Sequence, residues 1–199
     1  MASCSLIPPD NQDVEKKMQT VEEYDGPTEE AVFAGGCFWC IEASFEHKDG
    51  VVAAISGFAG GEEENPTYEQ VSSGTTKYRE AVLVIYDPTV VSYKELVDYF
   101  WKQFDPTDDG GSFVDRGYQY TSAIFTYTNQ QKNDAEQSKK ELEESGVFDK
   151  PIVTPILNAT TFYPAEQYHQ DYYKENPVRY QYYRHGSGRD QFLEKVWGL

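Results

Sequence analysis

Cys37 and Cys40 stand three residues apart, separated by Phe38 and Trp39 and preceded by Ala34-Gly35-Gly36. Two thiols at this spacing meet across one helical turn. They can form a redox-active pair, half of a zinc site, or two buried positions that pack as small hydrophobes. Val32-Phe33-Ala34 is a short apolar run and Ile41 to Phe45 has helical character, so the glycines mark a strand-to-helix turn. Cys37 is therefore expected at a helix N-terminus. Free N–H groups and the positive end of the dipole favour a thiolate there by roughly 0.3 to 1 kcal/mol, enough to bring a free value near 8.5 down by about one unit. That makes Cys37 a nucleophile near neutral pH. A zinc site would need two more ligands, and Cys4, His47, His169 and His185 form no ligand-type pair.

Glu80 is the second signal. It interrupts an apolar strand pattern from Tyr78 to Tyr86, and an inward carboxyl is costly unless it is paired or used. Arg79 next to it should point to the opposite face. Tyrosine is less informative, because with 16 of them any single one is more often packing than chemistry. His169 reads as a packing or hydrogen-bonding residue rather than a proton carrier.

The elements that must position these groups follow from periodicity. A strand near 31–35 leads into the cysteine helix, which runs to about His47, and Val51 to Phe58 forms the next strand. Asn65-Pro66 supplies a cap and first-turn proline for a short helix through Val71. The Glu80 strand ends at Asp87-Pro88. Ser92 to Glu95 is a capping box that opens a helix to Phe104. A strand from about Tyr120 to Tyr127 precedes a long helix from Asn129, which stops at Gly146. Pro151 to Asn158 is a last strand, and Pro164 to Glu175 a final helix followed by a tyrosine-rich tail. The order strand-helix-strand, twice, predicts an α/β (α+β) fold: a two-layer sandwich with a mixed sheet, a ferredoxin-like split β-α-β core and extra elements.

Residues 1–29 are polar and acidic and read as a loosely ordered arm carrying Cys4, with a single catalytic domain over 30–199. At 199 residues and 39% hydrophobic, the chain suits one sizeable core. Thirty-four acidic against 17 basic residues give a net charge of -17, which disfavours nucleic acid and anionic membrane surfaces as partners. No apolar run approaches membrane-spanning length, and the first residues lack a secretory pattern, so a cytoplasmic protein is expected. Three cysteines suit a reducing compartment. The absence of G-x-G-x-x-G and G-x-x-x-x-G-K argues against nucleotide chemistry.

Gly36-Cys37-Phe38-Trp39 resembles the signature of the A-type peptide methionine sulfoxide reductases, and four later segments agree with it in order and spacing. These are Asn65 to Tyr68 with Val71 to Gly74; Glu80-Ala81-Val82 followed by Tyr86-Asp87-Pro88; Asp115 to Tyr120 with Ser122-Ala123-Ile124; and Phe162 to His169. The resemblance covers about residues 31 to 185. It implies that Cys37 attacks the sulfur of a methionine S-sulfoxide, free or in oxidised proteins. Glu80, Tyr68 and Tyr120 would face the sulfoxide oxygen, Phe38 and Trp39 would hold the methyl group, and Asp115 would stand behind them. No metal or organic cofactor is implied. The oxygen leaves only if protonated, and a glutamate near pKa 4.3 is neutral about once in 500 at pH 7, so Glu80 should be raised by burial and the nearby thiolate.

The chain departs from the family pattern at Cys40, where many members have glycine. Their recycling cysteines sit in a C-terminal tail that here, through Gly186-Ser187-Gly188-Arg189 to Leu199, has none. Resolution of the Cys37 sulfenic acid is therefore expected from Cys40, with thioredoxin or a similar dithiol reducing the disulfide. Lys77-Tyr78-Arg79 and Thr121 also differ from the usual residues, which bears on substrate preference more than on reaction type. A general dithiol oxidoreductase and a non-enzymatic binding module with a structural C-x-x-C are the competing readings.

Overall fold

The structure, a computed structural model, describes residues 11–199, so Cys4 lies outside it. In chain order the elements begin with α1 (Gln12–Glu23), β1 (Glu29–Ala34), α2 (Phe38–Glu46), β2 (Val51–Ala59), α3 (Tyr68–Ser72), β3 (Arg79–Tyr86) and α4 (Tyr93–Phe100). They continue with β4 (Gly111–Ser112), β5 (Asp115–Arg116), β6 (Ala123–Thr126), α5 (Asn129–Glu144), β7 (Ile156–Asn158), β8 (Tyr163–Pro164), α6 (Tyr172–Glu175), α7 (Pro177–Gly186) and α8 (Arg189–Trp197). Six strands form one sheet in the order β7-β6-β1-β3-β2-β8, parallel only between β6 and β7. β1-α2-β2 interleaves with β3-α4-β6, which is the expected split β-α-β core in a mixed sheet.

Strand alternation decides what each face receives. Phe33, Val82, Val84 and Tyr86 meet Phe38, Ile41 and Phe45 of α2 and Leu96, Val97 and Phe100 of α4 in the main core. Glu80 shares that face by parity. Arg79 points the other way as predicted: its Nε donates to Thr121 Oγ1 at 2.9 Å and its guanidinium lies 4.3 Å from the Tyr118 ring centre.

Several boundaries differ from expectation. The cap of α3 is Thr67, whose hydroxyl and the Gln70 side chain satisfy two backbone donors reciprocally; Asn65 is instead a left-handed turn residue at φ 51°. The Ser92–Glu95 box does cap α4. Residues 151–155 stay out of the sheet, since Pro151 and Pro155 have no N–H to give. The expected helix over 164–175 is broken into β8, a 3-10 turn at Gln167–His169 and α6, with Asp171 left-handed between them at φ 52°. The tyrosine-rich tail is two helices: Pro177 starts α7 and Gly188 precedes α8.

The largest difference is at the N-terminus. Residues 12–23, expected within a loose arm, form α1 and dock on the sheet face opposite the cysteine helix. Val14 is 1% exposed, and it packs with Ala53, Ile55 and Ile85 alongside Met18 and Val21. Lys17 passes the open edge of β2, donates to Ala54 O at 2.7 Å, and reaches Glu42 at 2.8 Å, Glu46 at 2.7 Å and Asp171 at 3.2 Å. Burial works against the Lys17 ammonium, but Glu42 and Glu46 beside it outweigh that and keep its pKa above the ordinary lysine value. Glu42, fully buried on α2, is pushed up to about 7 by burial, with Lys17 opposing the shift.

Lys17→Met should therefore destabilise the fold at pH 8 by about 3 to 5 kcal/mol, the scale for stripping one partner from a buried pair. A carboxyl with a raised folded pKa costs stability as pH rises through that value, so the deficit should shrink at pH 5, where Glu42 protonates. Urea titrations of both chains at the two pH values read this directly; a deficit independent of pH would point to packing instead.

Candidate active site

Gly36 makes the turn that delivers Cys37 to the start of α2. Its φ is 87°, and an added Cβ would lie 2.2 Å from the Ser112 Cβ, so only glycine fits. Cys37 is the N-cap residue, while Cys40 sits one turn in; they are 5% and 1% exposed and unbonded.

A small cavity of about 50 Å3 opens between Cys37, Phe38, Trp39, Tyr68, Glu80, Asp115, Tyr120 and Tyr183. Every residue singled out from the sequence lines it except Cys40, which lies beneath Cys37. Larger hollows of about 380 Å3 beside Lys17 and about 430 Å3 beside Thr126 contain no thiol, so chemistry rather than size selects the site.

Phe38 and Trp39 form one wall with ring centres 6.4 Å apart. Trp39 is fixed by stacking on Tyr172 at 3.8 Å and by donating from Nε1 to His169 Nδ1 at 3.1 Å. Indole is only a donor, so His169 must be neutral with its proton on Nε2. Burial agrees, lowering the His169 pKa to about 4. His169 is thus a hydrogen-bonding residue, as expected from sequence.

Glu80 is 2% exposed and accepts from the Phe38 N–H at 3.0 Å. That donor favours the anion, but burial outweighs it, with Asp115 and Cys40 adding repulsion, and the pKa rises to about 8. Glu80 is therefore mostly protonated at neutral pH. Tyr68 and Tyr120 line the cavity with Glu80. Burial and the Glu80 charge raise both, Tyr68 to about 12, which keeps both as phenol donors.

The cysteines correct the sequence expectation. Burial, then the Cys40 sulfur and Glu80, push the Cys37 thiol well above its ordinary value. These outweigh the unit or so that the helix start supplies. Cys40 instead falls to about 6, chiefly because Cys37 donates to it, with help from Arg189 and Arg184. The two thiols therefore titrate as one coupled pair.

Tyr183, within the tyrosine-rich tail, is a further residue of the site. Its hydroxyl donates to the Asp115 carboxylate, it lines the cavity with Cys37, and its ring meets Trp39 edge-on at 5.8 Å. With Tyr172 and Tyr180 it covers the cysteine pair. The arrangement offers a sulfur nucleophile, a neutral carboxylic acid and two phenol donors around a cavity with an apolar wall.

Comparison with known proteins points to one chemistry. Residues 29–199 match the family model described as peptide methionine sulfoxide reductase. The chain is 54% identical over 168 residues to peptide methionine sulfoxide reductase MsrA of Bacillus licheniformis, covering 84% of this chain and 93% of the relative. It resembles Mxr1 of Saccharomyces cerevisiae in its reduced form, with a TM-score of 0.71, 32% identity and coverage of 75% and 86% of the two chains. Methionine sulfoxide reductase A of Corynebacterium diphtheriae gives a TM-score of 0.68 at 36% identity, covering 78% of each chain. Mxr1 is also known in complex with Trx2; that structure is 21% identical to this chain, with a TM-score of 0.51 and coverage of 76% and 91%.

Proposed function

This chain belongs to the peptide methionine sulfoxide reductase family, an oxidoreductase that works by thiol chemistry, and from that membership we propose the role of each site residue. Cys37 attacks the sulfoxide sulfur and gives up its proton to Cys40, the thiol one turn along α2 with which it titrates. Glu80 delivers a proton to the oxygen as the S–O bond breaks, while Tyr68 and Tyr120 donate to that oxygen as its charge grows. The released hydroxide bonds to the Cys37 sulfur as the S–S bond to the substrate breaks with its electron pair on the methionine sulfur, so methionine leaves reduced and Cys37 remains as a sulfenic acid. Phe38 and Trp39 hold the substrate methyl group, and Asp115 orients Tyr183 against the thiol. Cys40 then attacks Cys37, closing a disulfide and releasing water.

One observation carries this reading: a neutral carboxyl, two phenols and a thiol converge on a cavity that accommodates a methylsulfinyl group and little more. A general dithiol oxidoreductase needs no inward Glu80. The reductant is a small dithiol protein of thioredoxin type, because a disulfide of this tight ring is easily reduced and the Mxr1–Trx2 complex gives a precedent. Among the described residues no helix is long and apolar enough to cross a membrane; we place the enzyme in the cytoplasm because a thiol pair that must be re-reduced each cycle suits a reducing compartment. Its substrates are methionine S-sulfoxide, free and in oxidised proteins.

Assay of each sulfoxide epimer separately tests the proposal. The S epimer should be reduced, and the R epimer should fall at least about 100-fold behind, since its methyl and oxygen would exchange places and leave buried donors unpaired. Equal rates would exclude the proposed cavity geometry.

A further inference from the structure

Tyr68 and Tyr120 reach the cavity from segments far apart in the chain: Tyr68 is the first residue of α3, and Tyr120 ends a 3-10 turn over Tyr118–Tyr120. Such a turn has three residues per revolution, so its three side chains leave in three directions. Tyr118 covers the Arg79 guanidinium at 4.3 Å, and Tyr120 enters the cavity. Gln119, between them and 8% exposed, points to α3, where its Nε2 donates to Ser72 O at 2.9 Å. Ser72 is the last residue of α3, and a carbonyl there has no donor within its own helix. The Gln119 amide also fills the space between two glycines of positive φ. A Cβ on Gly117 (φ 125°), which opens the turn, would lie 2.7 Å from its Oε1, and one on Gly74 (φ 72°), just beyond α3, 3.6 Å from it.

We propose that Gln119 is a positioning residue that sets the spacing of the two phenols around the sulfoxide oxygen. The proposal rests on the reading of Tyr68 and Tyr120 as donors to that oxygen. A helix of five residues is too short to hold its own place. α3 is fixed by Val71, fully buried in the main core, and by Glu166, whose Oε1 accepts from the Tyr68 N–H at 2.8 Å. The Tyr120 turn is fixed to β3 through Thr121 Oγ1, which donates to Tyr118 O at 2.7 Å and accepts from Arg79 Nε at 2.9 Å. Neither set of contacts crosses from one segment to the other. The Gln119 amide does.

Both phenols must aim a short O–H···O bond at one atom, and such bonds weaken steeply as the angle closes. An ångström of misplacement around a reacting centre can cost about 100-fold in rate. The oxygen gains its charge only as the S–O bond breaks, so a shift of the phenols weakens the transition state and leaves the bound substrate nearly untouched. Loss of the Gln119 tether should therefore slow the chemical step without changing the half-saturating substrate concentration. A Gln119 that merely supports the fold would slow every chain by the same factor, whether or not the phenols are present.

The test is a double-mutant cycle on the full chain, read as single-turnover release of methionine by rapid quench from a peptide carrying methionine S-sulfoxide, so that recycling does not enter. Gln119→Met keeps the length of the side chain and removes the donor. It should lower the maximal rate about tenfold while the half-saturating concentration stays within about twofold, the mark of an interaction made in the transition state. In a chain carrying Tyr68→Phe and Tyr120→Phe, the same substitution should cost less than about twofold, because the groups it positions are gone. A native single-turnover rate in Gln119→Met overturns the proposal. So does an equal loss in the double-phenylalanine chain, which would make Gln119 structural while the donor roles stand. If the double-phenylalanine chain itself keeps the native rate, the donor reading fails and takes the proposal with it. Should Gln119→Met not fold, Gln119→Glu decides, since a neutral carboxyl can donate to Ser72 O and a carboxylate cannot. Its rate relative to the native chain should recover as pH falls and the carboxyl protonates; a ratio that does not move with pH overturns the proposal.

Discussion

Cys37→Ser should lose all measurable sulfoxide reduction, a fall of at least about 10⁴-fold, the scale seen when a covalent nucleophile is removed. A serine hydroxyl remains protonated where the thiol is already raised by burial, and oxygen cannot accept the substrate's oxygen as sulfur does. The fold should tolerate the change, because Cys37 caps α2 through its backbone and makes no side-chain cap. Cys40→Ser provides the contrast. It keeps the attacking sulfur, so rapid-quench analysis should find about one equivalent of methionine per enzyme and then a stop with thioredoxin as reductant. Retention of a tenth of native activity in Cys37→Ser would assign the attack to another group.

The second large effect is expected at Glu80→Gln, with kcat/KM lower by about 10² to 10⁴, the usual contribution of a placed proton donor. Glutamine can still accept the Phe38 N–H, so α2 keeps its anchor and the loss isolates the proton. The pH dependence has a definite sign. Glu80 donates only when neutral, and with its pKa at about 8 the donor is present below that pH and disappears above it. The native profile should fall above about pH 8, with apparent values belonging jointly to Glu80, Cys37 and Cys40, and this limb should be missing in the variant. Stability moves the opposite way. A carboxyl with a raised folded pKa loses stability as pH rises through that pKa, so Glu80→Gln should be the more stable chain at pH 9. An unchanged alkaline limb in the variant would remove Glu80 as the proton source.

The site was legible where chemistry and strand parity coincide. Cys37 and Cys40 are one helical turn apart, Glu80 breaks an apolar alternation, and Tyr68, Tyr120 and Asp115 sit in segments that resemble a known family. What stayed hidden comes from residues whose local pattern is ordinary. Tyr183 lies in a run of tyrosines where no spacing separates it from Tyr182, which is 84% exposed, yet Asn176-Pro177 did signal a helix start that would have placed it with Tyr180 on one face. Val14, Met18 and Val21 recur at helical spacing, but the surrounding acids outweighed them in a reading from composition. The Cys37 ionisation was misjudged because a helix start is a local cue, whereas the burial and charges that outweigh it arrive from β3, α7 and α8.

Lys17 draws a line between two kinds of boundary. The match to the family model begins at residue 29, yet the cooperative unit begins earlier, because the cation that answers Glu42, Glu46 and Asp171 belongs to residue 17. A chain cut at residue 29 would keep every group that touches substrate and lose the counter-charge behind the helix that carries them. The matched domain and the thermodynamic unit are different lengths, and trimming to the match would discard a piece of the scaffold.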